Sequence, residues 1–151
     1  MDLPRARAVV TAATHEPSDL VIRRVLADCE TWAVVGLSTN TARAAFGVAR
    51  FLIEHGKRVV PVHPHAETVH GEPGYATLHD IPFDVDCVDV FVRSELAGAI
   101  ADEAIEIGAS AVWFQLGVTD AQAATRVREA GMDMVMDRCP AIEWPRLGPA
   151  A

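Results

Sequence analysis

Trp32-Ala33-Val34-Val35-Gly36-Leu37-Ser38, then Arg43, then an apolar stretch ending at Gly56, then Val59-Val60-Pro61-Val62-His63-Pro64, decides the fold. A short apolar run closed by a Gly-Ser turn reads as a buried strand, about 32–37. After it, Val48, Leu52 and His55 recur at helical spacing from about Ala44 onward, and Gly56 suits a left-handed helix cap. Val59 to Val62 is a second strand. Strand, tight turn, helix and strand form one βαβ unit, whose right-handed crossover makes the two strands parallel.

The pattern repeats along the chain. Ahead of the unit, Ser18 is placed to cap a helix with Ile22, Val25, Leu26 and Cys29 on one face. Beyond it, residues 63–86 hold Pro64, Gly71, Pro73, Gly74 and Pro82 and read as a long loop with one short helix near 76–79. A third strand at 86–92 is interrupted by Asp89. Ser94 is expected to cap a helix whose Leu96, Ile100, Ala104 and Ile107 share a face, and Gly108 ends it. A fourth strand runs 111–114. Thr119 and Gln122 form a capping-box pattern for the next helix, ending at Gly131. A fifth strand follows at 132–136, and the tail after Cys139-Pro140 has room for a helical turn. Strands alternating with helices predict an α/β fold: a single doubly wound, parallel, five-stranded, Rossmann-like sheet. The simplest order is 3-2-1-4-5. That order opens a crevice between strands 1 and 4, lined by Gly36 to Ser38 and by Gln115 to Gly117.

Composition narrows the function. The chain has 151 residues, half of them hydrophobic, and a formal charge of −8. This suits one domain with a sheet buried on both faces, divided as an N-terminal extension at 1–17 and a folded domain at 18–151. The acidity disfavours nucleic acid, and no apolar run suits a membrane span. Cys29, Cys87 and Cys139 show no metal-ligand spacing, and the six histidines form no ligand motif. With no signal-peptide pattern, the cysteines point to a reducing cytoplasm.

The first turn points to phosphate. Gly36 lets the backbone turn closely; Ser38, Thr39 and Thr41 offer hydroxyls; Arg43 stands near a helix N-terminus that already favours an anion. The alternative is a plain turn with a solvated arginine. A dinucleotide fingerprint would place glycines where Ser38 and Thr41 stand and an acid after strand 2, where the chain has Val62-His63-Pro64. NAD is therefore disfavoured.

These segments, with Val88-Asp89-Val90-Phe91, Ala111-Val112-Trp113-Phe114-Gln115-Leu116-Gly117 and Val135-Met136-Asp137-Arg138-Cys139, resemble the small bacterial and archaeal CoA-binding proteins. Those proteins are in turn similar to the CoA-binding Rossmann domain of the succinyl-CoA synthetase alpha subunit. The resemblance implies a module that binds coenzyme A or acyl-CoA without ligating it, since the synthetase's histidine domain and ATP-grasp subunit have no counterpart here. It implies that Gly36, Leu37, Ser38, Thr39 and Arg43 hold the phosphates. Val62, His63 and Pro64 border the adenosine, Phe91 and Arg93 lie near the same ligand, and Gln115 and Gly117 flank the pantetheine arm. His63 replaces the Asn usual in the family. Cys139, beside Arg138, is a candidate for a mixed disulfide with the CoA thiol, against a simple packed thiol before Pro140. The competing readings are a small NADP-dependent oxidoreductase, whose Tyr75 and Lys57 lack a relay spacing, and a protein-interaction module with a vestigial site. The apolar edge strand leaves a protein partner or a homo-oligomer open.

Overall fold

The apolar runs form strands because each is too short for a helix, and the first four are rich in β-branched or aromatic residues. In the computed structural model, which describes residues 18–150, β1 spans Thr31–Val35, β2 Arg58–Val62, β3 Cys87–Val90, β4 Ala111–Phe114 and β5 Asp133–Met136. Around them lie α1 (Ser18–Asp28), α2 (Ala44–Glu54), α3 (Ser94–Glu106), α4 (Ala121–Glu129) and α5 (Pro140–Leu147). A 3-10 turn at Leu78–Asp80 interrupts the long connection after β2. All neighbouring strands pair in parallel. The fold is α/β and Rossmann-like, with one five-stranded sheet. The extension expected at 1–17 lies outside the described residues. Among the described residues, no helix is long and apolar enough to cross a membrane.

The strand order is β2-β1-β3-β4-β5, which corrects the expected 3-2-1-4-5. β3 pairs with β1 on the side away from β2, from Trp32↔Cys87 to Val35↔Val90. Pro61 gives the physical reason. Its carbonyl accepts the Tyr75 N–H at 3.0 Å on the outer side of β2, but it has no N–H to offer there. A full strand docked on that side would lose a ladder bond, so proline confines β2 to the edge. The connection crosses one sheet face, burying Leu78, Ile81 and Val85, and reaches the far side of β1.

Alternation across the pleat builds two cores. Ala33, Val60, Val88 and Val112 pack with α3 and α4 on one face. Trp32, Val34, Val59 and Trp113 pack with α1, α2 and α5 on the other. The two indoles lie 5.8 Å apart, tilted. Their N–H groups donate to the carbonyls of Cys29 and Arg138, each at 2.8 Å, so both tryptophans are buried without an orphaned donor.

Several local expectations are corrected. The buried stripe of α3 is Ala97, Ala101 and Ala104, while Leu96 is 47% exposed. The small side chains let α3 approach the sheet closely, which a leucine stripe would prevent. His55 is exposed and stacks on Phe51. Ser94 does not cap α3: Arg93 holds that position, and the Ser94 hydroxyl donates to the Gly117 carbonyl and accepts from Thr119 N–H. The cap of α4 is Asp120, whose carboxylate accepts from Ala123 N–H at 3.0 Å, in place of a Thr119–Gln122 box. Asp120→Ala is therefore expected to cost about 1 kcal/mol and lower Tm by roughly 2–4 °C, read from thermal denaturation by circular dichroism. An unchanged Tm would show that the helix end is held by packing alone.

Candidate functional site

Gly36 is where three strand ends meet. It follows β1 with φ +101°, and its N–H donates to the Val62 carbonyl at the end of β2, at 2.8 Å. A Cβ at Gly36 would lie 2.9 Å from the Phe91 carbonyl just past β3. The chain leaves β1 for β2 on one side and returns as β3 on the other. The topological switch point is therefore between β1 and β3. This corrects the crevice expected between strands 1 and 4, because β3 stands between them.

From Gly36 the turn is built by side chains bonding to nearby backbone. Leu37 is fully buried, so only its backbone faces the turn. The Ser38 hydroxyl accepts from Asn40 N–H at 3.2 Å, and Asn40 Oδ1 accepts from Ala42 N–H at 3.0 Å. This Asx turn delivers the chain into α2 with Arg43 at the N-cap and no side-chain cap. The amides of Ala44 and Ala45 have no hydrogen-bond partner among the described residues. Open amides and the helix dipole favour an anion at that point. Arg43 and Arg93 are both exposed, and neither forms an ion pair among the described residues. Two uncommitted guanidiniums thus lie on the loops that follow β1 and β3.

Thr39 is committed differently. Its N–H and hydroxyl both donate to Glu67 Oε1, at 3.0 and 3.2 Å. The Thr39 amide, then the Thr39 hydroxyl, hold the Glu67 carboxyl below its usual range, and His63 and His65 add to this.

The other expected site residues fall into two groups. Val62 is buried and acts through its carbonyl, and Pro64 is exposed. His63 is half-buried; its Nδ1 accepts from His65 N–H at 3.2 Å, and its own N–H donates to the Tyr75 carbonyl. Gly36, Leu37, Ser38, Thr39, Val62, His63 and Phe91 thus come together. Gln115 and Gly117 lie beyond β3. Gln115 is buried with Oε1 unpartnered, and Gly117 (φ +81°) donates its N–H to Asp137 Oδ1 at 2.8 Å.

Cys139 is 6% exposed and packs in the α1-side core, while the Arg138 guanidinium turns to the Asp137 carbonyl and Glu143. That is the geometry of a packed thiol. Lys57 opens the approach to β2 beneath Trp144, whereas Tyr75 bridges to Val62 at the strand's other end, so the two form no relay. Sequence reasoning missed Glu67, Asn40 and Asp137. Asn40 had a signal, as an Asx-turn residue just ahead of a helix. Glu67 and Asp137 act across distant loops and had none.

The same fold recurs in known proteins. The family model described as CoA binding domain matches residues 30–145. An uncharacterized protein of Bacillus subtilis (strain 168), YneT, is 32% identical over 125 residues, covering 83% of this chain and 93% of the relative. A hypothetical protein from Pyrococcus horikoshii OT3 superposes with a TM-score of 0.81 at 36% identity, over 89% of this chain and 99% of that one. A Thermus thermophilus structure superposes with a TM-score of 0.79 at 33% identity, over 87% and 99%. The dinucleotide-forming acetyl-coenzyme A synthetase 1 of Ca. Korarchaeum cryptofilum shares the fold, with a TM-score of 0.66 at 20% identity; 77% of this chain aligns with 27% of the synthetase.

Proposed function

Since the chain belongs to the CoA binding domain family, we propose that it is a binding module for coenzyme A or an acyl-CoA, non-catalytic on its own, with the ligand seated across the carboxyl ends of β1, β2 and β3. One observation carries the reading. Next to the switch point, open helix amides at Ala44 and Ala45 follow Arg43, and Arg93 stands at the N-cap of α3 on the loop after β3, both arginines without a carboxylate partner among the described residues. Such donors suit the phosphates of a nucleotide, and a guanidinium can take them bidentately. In this reading the diphosphate lies on the turn from Gly36 to Thr39 and on Arg43, and the adenosine lies toward Val62, His63 and Pro64. The pantetheine arm crosses past Phe91 and Arg93 toward Gln115 and Gly117. With the switch point at β3 rather than β4, the arm crosses the loop after β3, which carries Arg93, before it reaches Gln115 and Gly117.

Isothermal titration with CoA, acetyl-CoA, NAD and NADP tests the reading. Saturable CoA binding is expected, with Arg43→Ala weakening it roughly 10- to 100-fold, the range for a lost charge-assisted hydrogen bond. Binding of NADP without CoA would instead make the chain a nucleotide oxidoreductase. A folded sample that binds none of the four would leave a protein-interaction module.

A further inference from the structure

One flank of the first turn is already occupied. The Glu67 carboxylate takes both Thr39 donors through Oε1, the amide at 3.0 Å and the hydroxyl at 3.2 Å. These are donors of the kind a phosphate uses, on the turn assigned above to the diphosphate. We infer that Glu67 is an internal stand-in for a ligand phosphate: it holds Thr39 in the free protein and yields it when CoA binds, so the site is self-inhibited by its own carboxylate. The inference rests on the CoA reading of the preceding section.

The backbone carrying Glu67 is pinned. Ala66 N–H donates to the His63 carbonyl at 2.7 Å, and Val69 and Glu72 exchange hydrogen bonds at 3.0 and 2.9 Å. Val69 is buried at 2% exposure. His70 Nε2 lies 2.8 Å from the Phe46 carbonyl, and its ring sits 4.3 Å from the Phe46 ring, which ties the segment to the first turn of α2. Gly74 closes against the same stretch, since a Cβ there would come within 2.2 Å of the Glu67 carbonyl. Ala66 and His70 sit at φ +50° and +54°, strained conformations that only firm packing maintains.

The side chain alone is free to swing. Glu67 is half-buried at the turn, and among the described residues its carboxylate has no hydrogen-bond partner other than Thr39. Release is therefore a rotamer change at the end of a fixed segment, without refolding of the loop. A carboxylate and a phosphate cannot share two donors at this distance, because like charges so close repel. One must displace the other.

Titration of CoA into the full chain, into Glu67→Ala and into Glu67→Gln decides the matter. Circular dichroism checks that each variant folds; the near-isosteric glutamine carries the test if the alanine variant does not. Glu67→Ala is expected to tighten CoA binding about 3- to 30-fold and Glu67→Gln by a smaller factor, since the amide still accepts from Thr39 but carries no charge. In ¹H–¹⁵N spectra, the Thr39 amide should shift both on the Glu67→Ala substitution and on saturation of the unsubstituted chain with CoA. Weaker binding by Glu67→Ala would show that the carboxylate shapes the turn for the ligand, and unchanged affinity would show that it stands clear of it; either overturns the inference. A Thr39 amide that ignores CoA overturns it too. Tight CoA binding with any of these results leaves the CoA reading intact, whereas no CoA binding by any form removes that reading and the inference together.

Discussion

Gly36→Ala is expected to abolish measurable CoA binding and to destabilise the fold by roughly 2–5 kcal/mol. Two costs add. At φ +101° the backbone lies where an L-residue is strained, a penalty on the order of 1–3 kcal/mol. The added methyl also meets the Phe91 carbonyl at 2.9 Å, and that neighbour is backbone, which cannot rotate away. Relief requires β1 and β3 to part at their carboxyl ends. Their parting breaks the Phe91 N–H bond to the Val35 carbonyl, 2.9 Å long, and shifts the loops bearing Arg43 and Arg93. Stability and affinity are therefore lost through one displacement. Urea denaturation alongside CoA titration measures both. Gly47, mid-α2, is the control glycine: an added methyl there would meet nothing within 4 Å. A Gly36→Ala chain with unsubstituted stability and affinity would mean that the strand ends are not held at the spacing described.

How much of this was legible beforehand depends on the range over which each residue acts. The strands, the crossover helices and the turn at Gly36 are local patterns, and the structure contains them within a residue or two. The turn at residues 36–43, leading from β1 into α2, was legible for the same reason: a βα turn is written in consecutive residues. Strand order was misread because it depends on which edge accepts a neighbour. Pro61 held that information, as a residue that cannot sit in a central strand, but its neutral effect within an apolar run hid it. The α3 face was misread because large apolar residues outweigh alanines in a periodicity count, yet close packing against the sheet selects Ala97, Ala101 and Ala104. Glu67 on Thr39 and Asp137 on Gly117 span 28 and 20 residues. No local pattern encodes a contact of that span, and both depend on loops positioned by the finished fold.

The second large effect concerns Asp89, the residue that interrupts the third apolar run. It sits mid-β3 opposite Val34 and Trp113, with Cys87 and Phe91 two residues to either side on the α1-side face. It is fully buried, and neither carboxyl oxygen has a hydrogen-bond partner. Burial pushes its carboxyl well above the usual carboxylate range. The folded chain therefore holds a proton that the unfolded chain releases near pH 4. The sign follows from the proton count. Below the unfolded pKa both states are protonated, and the contribution to stability is whole. Above it the folded state binds more protons than the unfolded, so stability falls as pH rises, by about 1.4 kcal/mol per pH unit, until the raised folded pKa is passed. Asp89→Asn keeps the shape and removes the proton. It is expected to match the unsubstituted chain near pH 4 and to exceed it increasingly toward pH 8, by roughly 1–4 kcal/mol at neutral pH. The effects of Asp19 and Glu67, whose carboxyls are held low and which stabilise above the ordinary carboxylate pKa, cancel in the difference between the two chains. Urea denaturation of both at pH 5, 6, 7 and 8 reads the slope directly. Parallel stability curves would mean that Asp89 is ionised in the fold, and a buried, unpartnered carboxylate in the central strand would then need a cation that reaches it from the switch point above.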